Sequence, residues 1–309
     1  MKNFRFLAMI ATLATYFLIF LGGLVRVSGA GLGCPDWPKC FGRWIPPFST
    51  NQLPSNIDPS MFNFTLAWIE YINRLAGMIV GLLIAAVAIW AIIKYFRVTR
   101  IVVPSVLAAL LVAYQGWQGG QLVASRLEPF LVSFHMFIAF LIAGLMIYIT
   151  QQSYYIDVRG TEAEASYPKK LKIWTGLIWI LALIQIMMGT QLREAVEVAV
   201  RNSPILNNGS ALATIGAIKF AHPAIGAALA LAALVIALWA LFKSVKPSSL
   251  VWQSSWTLIG LAVIQLLIGV VMLFAGLPQV TQVLHLWAAA LMFGVLSIMY
   301  LALRHKQEA

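Results

Sequence analysis

The 309-residue sequence has little charge, few cysteines and few histidines. Charged residues make up 10% of the chain and hydrophobic residues 61%, and the mean hydropathy is +0.87. Soluble enzymes, disordered segments and nucleic-acid-binding modules have a far more polar composition, so these classes are excluded. The 2 cysteines cannot build a disulfide-rich scaffold and do not have the ligand spacing of a zinc site. The 4 histidines are therefore the scarce polar residues that carry the most information.

Long apolar runs are what the sequence has in abundance. A helix of about 20 residues crosses the hydrocarbon layer of a membrane. Runs of this kind cover residues 6–25, 75–93, 101–125, 129–156, 173–192, 220–242 and 247–303. The last run is long enough for two helices, and Gly276, Leu277 and Pro278 supply the break. We predict an all-α integral membrane protein with eight transmembrane helices, since no segment alternates with the period of barrel strands.

Clusters of basic residues between the apolar runs predict the orientation. Loops rich in Lys and Arg stay in the cytoplasm, which places both termini inside; the first span is too long for a signal-peptide core and is retained. We expect a multi-pass protein of a bacterial plasma membrane with two long outer loops, 26–63 and 193–217. The 13 basic residues assigned to the inner side, of 21 in total, are Lys2, Arg5, Lys94, Arg97, Arg100, Arg159, Lys169, Lys170, Lys172, Lys243, Lys246, Arg304 and Lys306.

The chain also repeats itself. A shift of 150 residues lays the third and fourth spans on the seventh and eighth, and a shift of 149 lays the second span on the sixth. The first and fifth spans match weakly. These matches predict two parallel four-helix halves, residues 1–155 and 173–309, joined by a cytoplasmic linker over 156–172. The matched pairs include Gln115 with Gln265, Leu127 with Leu277, His135 with His285, Gly77 with Gly226, Gly22 with Gly189 and Arg26 with Arg193.

Three of the histidines fall inside predicted spans at repeated positions. His222 and His285 come from the second and fourth helices of the C-terminal half at a similar depth, and two imidazoles so placed can clamp an iron porphyrin. A single membrane histidine is more often a packing residue, but the repeated environment favours a function. The N-terminal half has His135 but Asn73 where the repeat predicts histidine. A porphyrin there should be five-coordinate or weakly six-coordinate, so one site suits holding electrons and the other suits chemistry.

Charged residues at the outer boundary have two interpretations each. Glu70 precedes Asn73 by three residues and shares its helix face. It is either an exposed anchor or a group for proton transfer or charge stabilisation beside the open iron. Four arginines are either interfacial anchors or partners for haem propionates. They are Arg26, Arg74, Arg126 and Arg193.

Both cysteines lie in the first outer loop, at Cys34 and Cys40. An outer loop of a protein in a bacterial plasma membrane faces an oxidising compartment, so we expect a disulfide. The disulfide either staples the loop or has a redox role, and a redox role would need an exposed or strained bond.

The ordered set of these features resembles the haem A synthase family over essentially the whole chain. The set comprises eight spans in two repeats, Gly22 to Arg26 leading into the cysteine loop, Glu70 to Arg74, and histidines on the fourth, sixth and eighth spans. In that family a Glu-x-x-His-Arg motif opens the second helix, whereas this motif ends in Asn73-Arg74. The resemblance implies oxidation of the C8 methyl of haem O to a formyl group by successive oxygenations, giving haem A for cytochrome oxidase.

The resemblance also implies roles for individual residues. His222 and His285 would ligate the iron of a resident haem b, and His135, opposite Asn73, would face the iron of the substrate haem O. Glu70 would be the functionally sensitive carboxylate, Arg74 would help to bind the cofactor, and the two cysteines would form the outer-loop disulfide. Both haem sites would lie near the outer face.

Several partners follow from this reaction. The resemblance implies that the substrates are haem O and O2 and that an electron donor is required. A haem O synthase and a second copy of the chain are further candidate partners. With the family histidine missing, impaired turnover is one alternative.

Two other functions compete with this one. A membrane b-type haem-binding or electron-transfer protein without turnover would need only the C-terminal histidine pair. A transporter with parallel repeats is less favoured, because no span is interrupted at mid-depth by a Gly/Pro segment.

Overall fold

The computed structural model describes residues 2–157, 167–203, 205–242 and 248–305, and this part of the chain is all-α. Eight of its helices are long and apolar enough to cross a membrane, which confirms the predicted class of an eight-span integral membrane protein. A short helix, α6, lies between the fifth and sixth spans. The helices are α1 Lys2–Ser28, α2 Phe64–Tyr95, α3 Thr99–Ala124, α4 Pro129–Asp157, α5 Lys169–Asn202, α6 Asn208–Thr214, α7 Ile218–Phe242, α8 Ser249–Phe274 and α9 Gln279–Arg304.

Local sequence signals set several helix boundaries. The side chain of Asn63 accepts a hydrogen bond from the N–H of Leu66 and caps α2. Ser248 does the same for α8 through the N–H of Val251. Helix N-termini leave backbone N–H groups without intrahelical partners, and these oxygens satisfy some of them. The predicted break at residues 276–278 is confirmed by the ends of α8 and α9.

Many large apolar side chains of the spans lie on the surface of the described structure. On α1, Phe6, Leu13 and Phe17 are 59%, 62% and 57% exposed, whereas Ala8 and Ala11 are completely buried. Hydrocarbon solvates the large side chains, and the small ones let neighbouring helices approach closely.

The prediction of a second outer loop over residues 193–217 is wrong for much of this range. α5 continues to Asn202, and α6 occupies Asn208–Thr214. Charged residues end the apolar run near Leu192, but they do not end the helix. Arg193 and Glu197 are one turn apart and form an ion pair with Nε to Oε1 at 2.7 Å, which is compatible with continued helix.

The second span also begins earlier than its apolar run. α2 starts at Phe64, whereas the run was predicted from residue 75. The first turns contain Glu70 and Arg74, whose charges lower the local hydropathy although the two side chains pair with each other.

The described residues form two compact units. One unit is Phe6–Met146, in which α2 packs against α3. The other is Ile147–Ala309 with Met1–Arg5, in which α5, α7, α8 and α9 pack around a shared core. This core includes Leu171, Leu258, Leu296, Met299 and Leu303, all completely buried.

The division between the units falls inside α4, before the predicted boundary at residue 155. Most of the predicted linker over 156–172 lies outside the described residues, as do Arg159, Lys243, Lys246 and Lys306 of the predicted inner side. The assignment of separate functions to residues 1–155 and 173–309 stays a prediction.

The two units contain the same turn between repeated helices. Leu127 follows α3 and Leu277 follows α8, and their φ angles are +63° and +64°. The N–H of Leu127 donates to the carbonyl of Leu122 at 2.8 Å, and the N–H of Leu277 donates to that of Met272 at 3.2 Å. A left-handed backbone is uncommon for leucine, so its occurrence at both matched positions is a structural counterpart of the sequence repeat.

Candidate functional site

The structure brings His222 and His285 together. His222 lies near the start of α7 and His285 near the start of α9, and their ring centroids are 6.4 Å apart with ring planes at 68°. Both side chains are partly buried within the spans. Nδ1 of His285 is buried without a hydrogen-bond partner. Two imidazoles at this separation, one of them with an unpartnered ring nitrogen, could bind one metal-containing group.

Glutamines contact both rings. Nε2 of Gln185 on α5 lies 3.0 Å from Nδ1 of His222 and donates to the His222 carbonyl at 2.7 Å. Nε2 of Gln265 on α8 lies 3.2 Å from Nε2 of His285. Inside a membrane these amides have no water to bind, so they fix the imidazoles relative to neighbouring helices.

One side of the His222 ring lies against the backbone of α5. A Cβ atom built on Gly189 would meet Cε1 of His222 at 2.8 Å, closer than ordinary contact allows. Arg193 follows Gly189 by one helical turn and therefore lies on the same face of α5, toward the end of the span. Its Nη1 is buried without a partner, while its Nε pairs with Glu197. A guanidinium with an unused N–H donor can pair with a carboxylate of a ligand.

The other unit holds His135 and Asn73, but no hydrogen bond joins these two residues. Nδ1 of His135 and Oδ1 of Asn73 are both buried and unpartnered. Gln115 on α3 donates to the backbone carbonyl of His135 at 2.8 Å, and its own Oε1 has no partner. These three polar atoms could bind a ligand group.

Glu70 is buried, with 4% of its surface exposed, so its interpretation as an exposed anchor is wrong. Its Oε2 accepts the N–H of Cys34 at 2.7 Å, and its Oε1 accepts Nε–H of Arg74 at 3.1 Å. A second N–H of Arg74 donates to the same Oε1. Oε2 thus ties the cysteine loop to the start of α2, and Oε1 holds the side chain of Arg74 one turn further along the helix.

Arg74 completes this arrangement, which we call the loop clamp: Glu70, Arg74 and the backbone of Cys34–Lys39. Nη1 of Arg74 donates to the carbonyls of Asp36 and Lys39, both at 2.8 Å, and Nη2 donates to that of Cys34 at 3.5 Å. Together with the bonds to Glu70, every N–H of the guanidinium has an acceptor. The structure leaves Arg74 no donor for a propionate.

The predicted disulfide is present between Cys34 and Cys40. The two residues are 0% and 1% exposed and pack with Phe41 and Ala67 in a small apolar cluster. Gly33 lies so close to α2 that an added Cβ would clash with the backbone carbonyl of Leu66. Burial on this scale favours the staple over the exposed redox bond.

Sequence reasoning missed Gln185. Gln265, the glutamine at His285, was found because the repeat matches it with Gln115. Gln185 matches no polar residue in the other half. A polar amide in an apolar run is itself a signal, because hydrocarbon excludes such groups unless they find partners.

Comparison with known proteins finds one family and relatives that share one name. The sequence pattern of the COX15-CtaA family, described as cytochrome oxidase assembly protein, matches residues 5–297. The chain is 28% identical to the heme A synthase of Geobacillus kaustophilus, over 99% of this chain and 93% of the relative. It is 26% identical to that of Shewanella oneidensis, over 96% and 95%. It is 24% identical to that of Wolbachia pipientis, over 94% and 89%.

The loop clamp predicts how the disulfide responds to reductant. Arg74→Lys removes the hydrogen bonds to the loop carbonyls, so the loop should open more often and expose Cys34 and Cys40. Charge-assisted hydrogen bonds contribute about 1.5–3 kcal/mol each, so we expect reduction by a small thiol to be at least about 10-fold faster. Alkylation of the released thiols followed by mass spectrometry measures this rate.

Arg43→Lys is the matched control, because Arg43 is exposed in the same loop and donates to the carbonyl of Gln52 at 3.3 Å. Equal reduction rates in Arg74→Lys and Arg43→Lys would show that the clamp does not hold the loop.

Proposed function

The chain belongs to the COX15-CtaA family of cytochrome oxidase assembly proteins, and we propose that it is a haem A synthase. The substrate is haem O, and the reaction converts its C8 methyl to a formyl group. Each oxygenation consumes O2, a pair of electrons and a pair of protons and releases water. After the second, loss of water from the hydrated carbon leaves the formyl group. The enzyme is thus an oxidoreductase that acts within the membrane.

The observation that carries the proposal is the pair of imidazoles contributed by His222 and His285. Their ring centroids are 6.4 Å apart, and a metal bound by both imidazoles would have to lie between the rings. The unpartnered Nδ1 of His285 fits a group that is bound through this pair. These residues fit a resident haem b.

Three residues of this unit would hold haem b. His222 and His285 would bind the iron, and Arg193, whose Nη1 is buried and unpartnered, would pair with a propionate. Haem b, when bound, supplies an iron that takes up and gives back one electron at a time. Gln185 and Gln265, which contact the two rings, would hold them in place.

The substrate site is proposed for the other unit. His135 and Asn73 each have a buried polar atom without a partner, and both would face haem O. Asn73 is a weak ligand for iron, so this side of the substrate would stay accessible for O2. Glu70 would act as a positioning residue: it lies one turn before Asn73 and holds the loop that covers the outer end of α2.

The remaining assignments are part of the same proposal. An electron donor, a haem O synthase that supplies the substrate and a second copy of the chain are the proposed partners. Both termini would lie in the cytoplasm, and both haem sites would lie near the outer face. The competing function, a b-type electron carrier without turnover, is favoured by one observation: the paired rings occur in a single unit of the described structure.

Production of haem A tests the proposal. The chain is expressed in cells that contain a haem O synthase and no haem A synthase of their own, and the extracted pigments are separated by chromatography and identified by mass. We expect haem A to accumulate at the expense of haem O.

A His135→Ala variant is the control that should form no haem A while keeping haem b. Abundant wild-type protein that contains haem b but leaves haem O unchanged would contradict the proposed activity and support the carrier.

Restoring the missing ligand is expected to change the substrate site. Asn73→His supplies the imidazole that the repeat predicts, and Gly22, which matches the glycine beside His222, has nothing within 4 Å of an added Cβ. By the repeat, this open space corresponds to the one beside Gly189 that the ring of His222 fills. Haem O bound to this variant should become six-coordinate and low-spin, as measured by optical and electron paramagnetic resonance spectra.

The mirror variant His222→Asn should have the opposite effect and convert the haem b of the other unit to a high-spin form. Unchanged spin states in both variants would show that neither position ligates iron.

A further inference from the structure

Gln185 makes two contacts with a single residue of a neighbouring helix. Its Nε2 donates to the backbone carbonyl of His222 at 2.7 Å and lies 3.0 Å from Nδ1 of the same residue. The amide thus bridges the backbone and the ring of His222. Rotation of the imidazole would break the second contact, so Gln185 holds the ring at one angle.

Two glycines make this close fit feasible. A Cβ built on Gly226, one turn beyond His222 on α7, would lie 2.7 Å from Nε2 of Gln185. A Cβ built on Gly189, one turn beyond Gln185 on α5, would lie 2.8 Å from Cε1 of His222. The amide and the ring therefore each occupy space that any larger residue at these positions would fill.

The other half of the repeat keeps the two glycines but lacks both partners. The register that matches Gly22 with Gly189 places Leu18 at the position of Gln185, and Asn73 stands at that of His222. A Cβ on Gly22 or on Gly77, the counterpart of Gly226, would meet nothing within 4 Å. Where the imidazole is absent, the amide is absent too.

We propose that Gln185 is a positioning residue that orients His222 for iron ligation. This inference rests on the proposed function only in assigning the iron to haem b. With Nδ1 engaged by the amide, Nε2 is the ring nitrogen left for the metal. Metal-ligating histidines commonly use their other nitrogen for such a contact, and the contact sets ring orientation and ligand basicity.

The chemistry of the amide suits this role. An iron-bound His222 would carry its proton on Nδ1 and would need an acceptor there. Oε1 of Gln185 is buried without a partner and would be that acceptor, while Nε2 keeps its hydrogen bond to the His222 carbonyl. Gln185 would then hold the ring through the Nδ1–H and make it a stronger donor to the iron.

Substitution of Gln185 tests the proposal in the full-length protein loaded with haem b. Gln185→Leu introduces the residue found in the other half, and we expect about 10-fold faster loss of haem to an apoprotein acceptor, as for other contacts behind a metal ligand. The low-spin electron paramagnetic resonance signal should also change. Gln185→Glu keeps an acceptor at Nδ1 and should retain haem, with a midpoint potential below that of wild type, whereas Gln185→Leu should have one above it.

Gly226→Ala leaves Gln185 in place and displaces its amide, so it should reproduce the spectral change of Gln185→Leu without a change of polarity. Gln253→Leu, at an exposed position of α8, is the control that should retain the wild-type signal. Wild-type haem retention, potential and spectrum in both Gln185→Leu and Gly226→Ala would overturn the proposal. Wild-type protein that holds haem b but forms no haem A would instead count against the proposed activity and leave this test valid.

Discussion

Polar side chains inside the spans must find their partners within the protein, because hydrocarbon offers none. This constraint accounts for two groups of polar contacts in the described structure. The Glu70–Arg74 pair finds its acceptors and donors in the cysteine loop, and each of the three membrane histidines contacts a glutamine of a neighbouring helix. What is left unpartnered after these contacts is informative, since a buried polar atom without a partner costs free energy unless a ligand satisfies it.

The two units differ in the polar groups that are left without partners. In the unit of α7 and α9, two rings face each other and a neighbouring guanidinium nitrogen is unpartnered, as expected for a tightly held cofactor. In the other unit, His135 and Asn73 have unpartnered atoms and no hydrogen bond to each other, as expected for a site that exchanges its occupant. Both units nevertheless keep the same left-handed turn before the repeated histidine, at Leu127 and Leu277. The shared framework with different polar residues explains how a duplicated bundle could separate electron storage from chemistry.

Much of the fold could be predicted from the sequence, because hydropathy and repetition are local or periodic signals. The eight spans, the break before Pro278 and the Cys34–Cys40 disulfide were predicted. The length of α5 was not, because Arg193 and Glu197 lower the hydropathy while their ion pair is compatible with the helix. The burial of Glu70 and the contacts of Arg74 with loop carbonyls could not be predicted either. They depend on a loop of more than 30 residues folding back on α2, and no local pattern specifies that return.

The central claim is that His222 and His285 together ligate one haem iron. Low-temperature electron paramagnetic resonance of the oxidised protein, purified from cells that make haem b but no haem O, tests it most directly. The account predicts a low-spin signal typical of two imidazole ligands, which is lost when either histidine is replaced by alanine. A colourless protein, or a low-spin signal that persists in both alanine variants, would contradict it.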